Sequence, residues 1–202
     1  MEYRAVNNRC ALILDSMNLP ISHQEALEIL AKKKFKILEI DLIRLARQCI
    51  QTSIYRRGAK LSEAPAVVDC SSFMKWLYAQ CGIWLPRRSI QQREYGETIP
   101  LHEIIRNDLI FVSGHINYYY DNPANGIGHV GIFTGEGTVI HAANKRLGVI
   151  ETSLQNFTDE EKFRGVCRYI PRKLSTLIME TPLDLNVETA DDIKWIILQS
   201  LP

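Results

Sequence analysis

Residues 129–143 read HVGIFTGEGTVIHAA, and the way this segment folds decides how the rest is read. Two runs rich in apolar and β-branched residues flank Gly135-Glu136-Gly137. A three-residue loop ending in glycine suits a type I turn followed by a left-handed residue. In that register Thr134 faces Thr138, His141 faces Gly131 and His129 faces Ala143. Side chains on a strand alternate between faces, so His129 and His141 share one face as diagonal neighbours, roughly 7–8 Å apart. Gly131, opposite His141, leaves space for a ring. A two-residue loop at Glu136-Gly137 would shift the pairing by one and put the two histidines on opposite faces. The three-residue loop is the expectation.

Outward from this hairpin the pattern stays β. DLIFV (108–112) precedes it, and GVIETS (148–153) and VCRYI (166–170) follow. A short helix is expected between these last two, near 158–163. Upstream the pattern is helical. Residues 1–40 read as mainly helical, with an S-x-x-E capping box from Ser22 to Glu25. A helix is expected over about 39–51, where Leu42, Ile43, Leu45, Ala46, Cys49 and Ile50 recur with helical period. Residues 52–68 read as a loop. Phe73, Trp76, Leu77 and Cys81 then form one stripe of a helix over 70–81, with Gly82 as the residue that ends it. IWLPRRS (83–89) reads as a turn because Pro86 bars helix. The tail carries a helix near 190–201. Helices followed by an antiparallel sheet give an α+β fold.

Cys70 lies at the head of that helix, between Asp69 and two serines. Taken alone, such a cysteine is more often a small core residue. With histidines it acquires chemistry. A thiolate attacks acyl carbon, and the unpaired N–H groups at a helix N-terminus favour the negative charge. An imidazole takes the thiol proton and later protonates a leaving amine, and a third group on its other nitrogen fixes its orientation. Cys70 as nucleophile, His129 as base and His141 as orienting residue fit this scheme. His23, His102 and His115 read as surface or loop residues. One cysteine and two histidines fall short of a closed zinc site, which needs a fourth ligand, so neither metal nor cofactor is expected.

Composition narrows the partners. The chain has 202 residues, is 46% hydrophobic and carries a formal net charge of +1. Nothing there marks a nucleic-acid binder. The cluster Lys32, Lys33, Lys34 and Lys36 reads as a solvated helix end. Five cysteines without a C-x-x-C pair do not suggest a disulfide framework. No integral membrane segment is expected, because no run of about 18 apolar residues occurs. The N-terminal residues lack a cationic stretch leading into an apolar one. The expectation is therefore a cytoplasmic location, export by a route without a classical signal, or a leader already removed.

DCSSFMKWLYAQCGIWLPRRSIQQ (69–92) resembles the signature of the NlpC-type cell-wall peptidases, a papain-like cysteine peptidase family. Asp69, Cys70, Ser71, Gly82, Ile83, Leu85, Pro86, Arg87, Ser89 and Gln92 fall on that signature in order. NDLIFV (107–112) resembles the family's strand before the catalytic histidine. GHVGIFTGEGTVIHAA (128–143) resembles the histidine strand and the hairpin after it, with the same spacing of two histidines. The resemblance covers about residues 40–170. It implies a papain-like fold in which the nucleophile heads a helix packed on an antiparallel sheet. It implies Cys70 as nucleophile, His129 as base and His141 as the third polar residue. Tyr55, with Ser71 in support, matches the tyrosine on the oxyanion side. Asp69 and Ser71 match positions that hold the free amine of an N-terminal residue, and Arg87 and Ser89 are expected on the substrate side. There are departures. Ser72 stands where the family usually has glycine, the segment from Tyr55 to Cys70 is long, and 113–128 is an insertion with three consecutive tyrosines, read as a surface loop or a lid or wall of the cleft.

The organisation so implied is a helical N-terminal extension (1–38), a catalytic domain (39–170) and a C-terminal extension with one helix (171–202). The implied activity is hydrolysis of amide bonds in peptidoglycan stem peptides, at a γ-D-glutamyl–diamino acid bond, through an acyl-enzyme, with a peptidoglycan peptide or muropeptide as partner. Two alternatives stand beside it: amide or acyl transfer on another protein or lipid substrate, and a non-catalytic binding module.

Overall fold

The computed structural model describes residues 3–114, 126–159, 161–172 and 174–201. Most of the expected insertion at 113–128, with His115 and the three tyrosines, therefore lies outside the described residues. In chain order the elements begin with β1 (Arg9–Leu12), α1 (His23–Lys32), β2 (Lys36–Leu38) and α2 (Leu42–Gln48). Then come β3 (Ile54–Tyr55), β4 (Val67–Val68), α3 (Cys70–Gln80) and α4 (Ser89–Tyr95). The sheet strands follow as β5 (Glu97–Ile99), β6 (Leu109–Ser113), β7 (Ile127–Phe133), β8 (Thr138–Asn144) and β9 (Gly148–Ser153). The last elements are α5 (Leu154–Phe157), β10 (Phe163–Arg168), β11 (Leu177–Glu180) and α6 (Ala190–Leu198).

Two compact units result: 41–77 with 85–170, and 1–40 with 78–84 and 171–202. The first is built on a six-stranded antiparallel sheet in the order β5-β10-β6-β7-β8-β9. Ile99, Ile110, Val112, Phe133, Val139, Phe157 and Val166 form a buried cluster on it. β7 and β8 pair with Ile132 opposite Ile140 and Phe133 opposite Val139, which is the three-residue-loop register. Gly137 closes the loop at φ +78°, and the Thr134 N–H donates to the Thr138 carbonyl at 3.0 Å.

The second unit corrects the reading of 1–40 as mainly helical. It holds one α-helix there and two strands, which flank β11 from the C-terminal segment in the order β1-β11-β2. The partner strand lies at the far end of the chain, so no local pattern announces it. Leu12, Leu14, Leu30, Phe35, Met179, Ile193 and Ile197 form its buried cluster. The expected capping box starts α1: the Glu25 N–H donates to Ser22 Oγ at 3.3 Å, and the Ser22 N–H to Glu25 Oε2 at 2.8 Å. No described helix is long and apolar enough to cross a membrane.

Three local expectations change. The short helix before β10 lies at Leu154–Phe157, because the Ser153 hydroxyl accepts the Asn156 N–H and caps it there. Ser89 opens a helix directly after the Pro86 turn. The 52–68 loop contains β3 and β4, which pair in parallel, Tyr55 opposite Val68.

Candidate active site

α3 starts at Cys70 because Asp69 and Ser72 close its first turn reciprocally. The Ser72 N–H donates to Asp69 Oδ1 at 2.8 Å, and the Asp69 N–H donates to Ser72 Oγ at 2.8 Å. This is a capping box with serine in the third helical position. The Ser72 hydroxyl also donates to the Asp69 carbonyl at 3.2 Å, so a fully buried hydroxyl keeps its partners. The departure from glycine at residue 72 thus has a local function: it fixes the helix head that carries the cysteine.

The Asp69 carboxylate accepts five hydrogen bonds. Oδ1 receives the Ser72 N–H, the Ser71 hydroxyl at 3.3 Å and Arg87 Nη1 at 3.0 Å. Oδ2 receives the Gly58 N–H at 2.9 Å and Arg87 Nη2 at 2.5 Å. Burial alone would raise the Asp69 pKa; the Arg87 and Ser72 hydrogen bonds and the Arg87 charge outweigh it and hold the carboxyl below its ordinary range. Arg87 also donates to the Ser71 hydroxyl at 3.0 Å and the Ala59 carbonyl at 2.9 Å. The structure brings Asp69, Ser71 and Arg87 together and engages them chiefly with one another. Ser89 stands half-buried at the start of α4. Gln92 is fully buried and donates to the Ser71 and Pro86 carbonyls, at 2.9 Å each, tying α4 to the helix head.

The Cys70 thiol is 8% exposed, and Sγ lies 4.0 Å from the Gly128 carbonyl on β7. Burial pushes its pKa up to about 12, the neighbouring Asp69 charge adds to this, and backbone hydrogen bonds at Val130 and Ser71 and the Arg87 charge oppose it. At this thiol burial thus opposes the negative charge that the helix dipole favours. Desolvation of a charge in a closed site outweighs a partial dipole charge.

The two histidines meet as the register requires. His129 Nε2 and His141 Nδ1 are 2.8 Å apart, with ring centroids 5.0 Å apart and planes at 83°. Gly131 makes the room: a Cβ there would stand 2.5 Å from Val139 Cγ1 and 3.1 Å from His141 Cβ. Phe157 packs against both rings, with centroids at 5.6 Å from His129 and 4.8 Å from His141. Burial lowers the His141 pKa to about 4, so this ring is neutral at ordinary pH. The 2.8 Å contact engages Nε2 of His129. Tyr55 reaches the same neighbourhood through the β3–β4 pair, which sets it opposite Val68, two residues before Cys70. Its hydroxyl pKa is raised by burial and then by the Cys70 and Asp69 charges.

His23 and His102 are surface residues, as expected, with side chains 52% and 81% exposed. Among the described residues no group of three or more His, Cys, Asp or Glu could hold a metal ion. Two residues were missed by the sequence reading. Phe157 had no signal: it is a lone aromatic in the polar stretch QNFTDE (155–160). Thr152, 3.4 Å from His141 Nε2 through Oγ1, had one: it alternates onto the His141 face of β9.

The family model described as "NlpC/P60 family" matches residues 53–168. A probable endopeptidase of Corynebacterium glutamicum is 35% identical over 91 residues, 45% of this chain and 38% of that protein. A gamma-D-glutamyl-L-lysine dipeptidyl-peptidase of Bacillus cereus is 29% identical over 105 residues, 51% of this chain and 29% of that protein. The chain thus spans well under half the length of these curated relatives. The crystal structure of an NlpC/P60 family protein from Bacillus cereus superposes with a TM-score of 0.53 at 26% identity, over 65% of this chain and 40% of that one.

Proposed function

The chain belongs to the NlpC/P60 family, and from that premise we propose that it is a cysteine peptidase that hydrolyses amide bonds in peptidoglycan stem peptides, at a γ-D-glutamyl–diamino acid bond. The observation that carries this reading is the 2.8 Å contact of His129 Nε2 with His141 Nδ1 beside a cysteine at the head of α3. The names of relatives that cleave peptidoglycan or γ-D-glutamyl-L-lysine bonds support the substrate class.

The geometry supports these steps. His129 Nδ1 takes the Cys70 proton as Sγ attacks the carbonyl carbon, forming a tetrahedral oxyanion beside the helix head and Tyr55. With the thiol's pKa raised by burial, proton transfer to His129 accompanies attack. The C–N bond then breaks, and His129 returns its proton to the departing amine. A water gives its proton to His129 and attacks the thioester, the carboxylic acid leaves, and Cys70 regains its proton. His141, neutral throughout, accepts the Nε2–H of His129 and steadies the imidazolium. Asp69, with five donors already in place, supports the helix head through Arg87 and Ser71; on this reading it does not receive a substrate ammonium.

Mass spectrometry of digests of defined muropeptides tests the reading. Cleavage between D-glutamate and the diamino acid by the wild type, and none by Cys70→Ala of unchanged fold, is expected. Cleavage by Cys70→Ala would overturn the assignment. Acyl transfer to an added amine without hydrolysis would replace it with a transferase.

A further inference from the structure

β7, β8 and β9 carry one diagonal row of polar side chains on a common face. Ile132 pairs with Ile140, so His141 stands across from Gly131, two residues from His129. His141 pairs with Ile150, two residues from Thr152. Each step crosses one strand and shifts by two residues, which preserves the face. The contacts follow the row: His129 Nε2 to His141 Nδ1 at 2.8 Å, then His141 Nε2 to Thr152 Oγ1 at 3.4 Å.

We propose that Thr152 is a positioning residue: its Oγ1 accepts the Nε2–H of His141 and so holds that imidazole in the tautomer whose Nδ1 accepts from His129. A neutral imidazole has one donor and one acceptor nitrogen. If His141 carried its proton on Nδ1, it would donate to His129 Nε2. His129 would then carry its own proton on Nδ1 and have no lone pair for the Cys70 proton. On the proposal, the hydroxyl takes the acceptor role, which goes with the other arrangement, in which His129 Nε2–H points to His141 and Nδ1 is basic; a hydroxyl donating to His141 Nε2 would go with the first. Phe157, against both rings, offers that N–H no acceptor. The hydroxyl of a threonine accepts readily and cannot be exchanged for a methyl without losing this function. The assignment rests on Cys70, His129 and His141 being the reacting set.

The test pairs nitrogen-15 NMR of the histidine rings with kinetics on a muropeptide. Thr152→Val keeps the shape and removes the acceptor; Thr152→Ser keeps the acceptor. In the wild type His141 is expected to be protonated on Nε2. In Thr152→Val the Nδ1–H tautomer grows in and kcat falls ~10-fold while KM stays within about twofold, a size usual for a group behind a reacting one. Thr152→Ser restores both. Wild-type His141 protonated on Nδ1, or Thr152→Val with wild-type tautomer and kcat, overturns the proposal. So does Thr152→Ser behaving as Val. The tautomer reading needs no substrate: if the wild type cleaves no muropeptide while the tautomer still switches, Thr152 keeps its role and only the substrate assignment fails. The wild-type spectrum alone decides if the valine variant does not fold.

Discussion

Helix α3 has a cysteine at each end, and the two ends differ instructively. Cys70 heads the helix and Cys81 follows its last residue. Both are buried, at 8% and 1% exposure, and burial pushes both thiols up to about 12. By their own ionisation they are indistinguishable. What separates them is company. The head is held by side chains, in a capping box and an aspartate–arginine pair, and lies against the strand that carries His129. The tail is held by backbone. The Ile83 N–H donates to the Tyr78 carbonyl at 3.0 Å and the Gly82 N–H to the Ala79 carbonyl at 3.1 Å, a Schellman motif with Gly82 at φ +64°. The Gly82 carbonyl accepts the Ala11 N–H at 3.1 Å, bringing β1 against the turn. On the proposed chemistry, reactivity is conferred by partners and not by the thiol's own pKa.

Exchanging the cysteines breaks or sharpens that contrast most sharply. Cys70→Ala is expected to lower kcat by ~10⁴-fold or more, whereas Cys81→Ala leaves activity within about twofold and costs about 1 kcal/mol of stability. Muropeptide turnover and denaturant midpoints decide; a large activity loss in Cys81→Ala would erase the difference. Next in size is Gly82→Ala. Its Cβ would stand 2.5 Å from the Cys10 backbone nitrogen, at a positive φ. A loss of about 3 kcal/mol or more is expected in guanidinium unfolding.

The third test uses pH. The folded His141 pKa, about 4, lies below its ordinary 6.5. Between those values the unfolded chain binds a proton that the folded chain does not. Stability therefore falls as pH drops from 6.5 to 4, by up to about 3 kcal/mol, and is flat above 6.5 for this group. Unfolding free energies across that window, compared with His141→Gln, isolate the slope; equal slopes would remove the buried neutral imidazole. The smallest effect is expected from Ser72→Ala, about 1 kcal/mol from loss of the reciprocal cap, read as a shift in urea midpoint against the wild type.

The site was legible where its rules are local. A glycine loop and period-two alternation set His129 and His141 on one face, a helix stripe puts Cys70 at a helix head, and Gly82 ends α3 as its sequence position predicts. The rest depended on distant chain segments. β11 pairs β1 and β2 across nearly the whole sequence, so a segment rich in helix formers gave no sign of its strands. Tyr55 comes near Cys70 only because two-residue strands close the long loop between them. The thiol's raised pKa needed the burial that only packing provides. Ser72 looked like a departure because a capping box with serine in the glutamate position has a weak signature. Thr152 was visible in principle, since alternation alone puts it on the histidine face once the β8–β9 turn is fixed.

The diagonal row from His129 to Thr152 also makes the site a check on assembly. β9 is an edge strand, and a slip of one residue turns its side chains to the opposite face. Glu151 or Ser153 would then come level with His141 in place of Thr152. A chain that docks β9 out of step turns the buried Val149 away from its side of the sheet and leaves His141 without the Thr152 hydroxyl. On the proposed chemistry, full hydrolytic competence therefore depends on β9 docking in register.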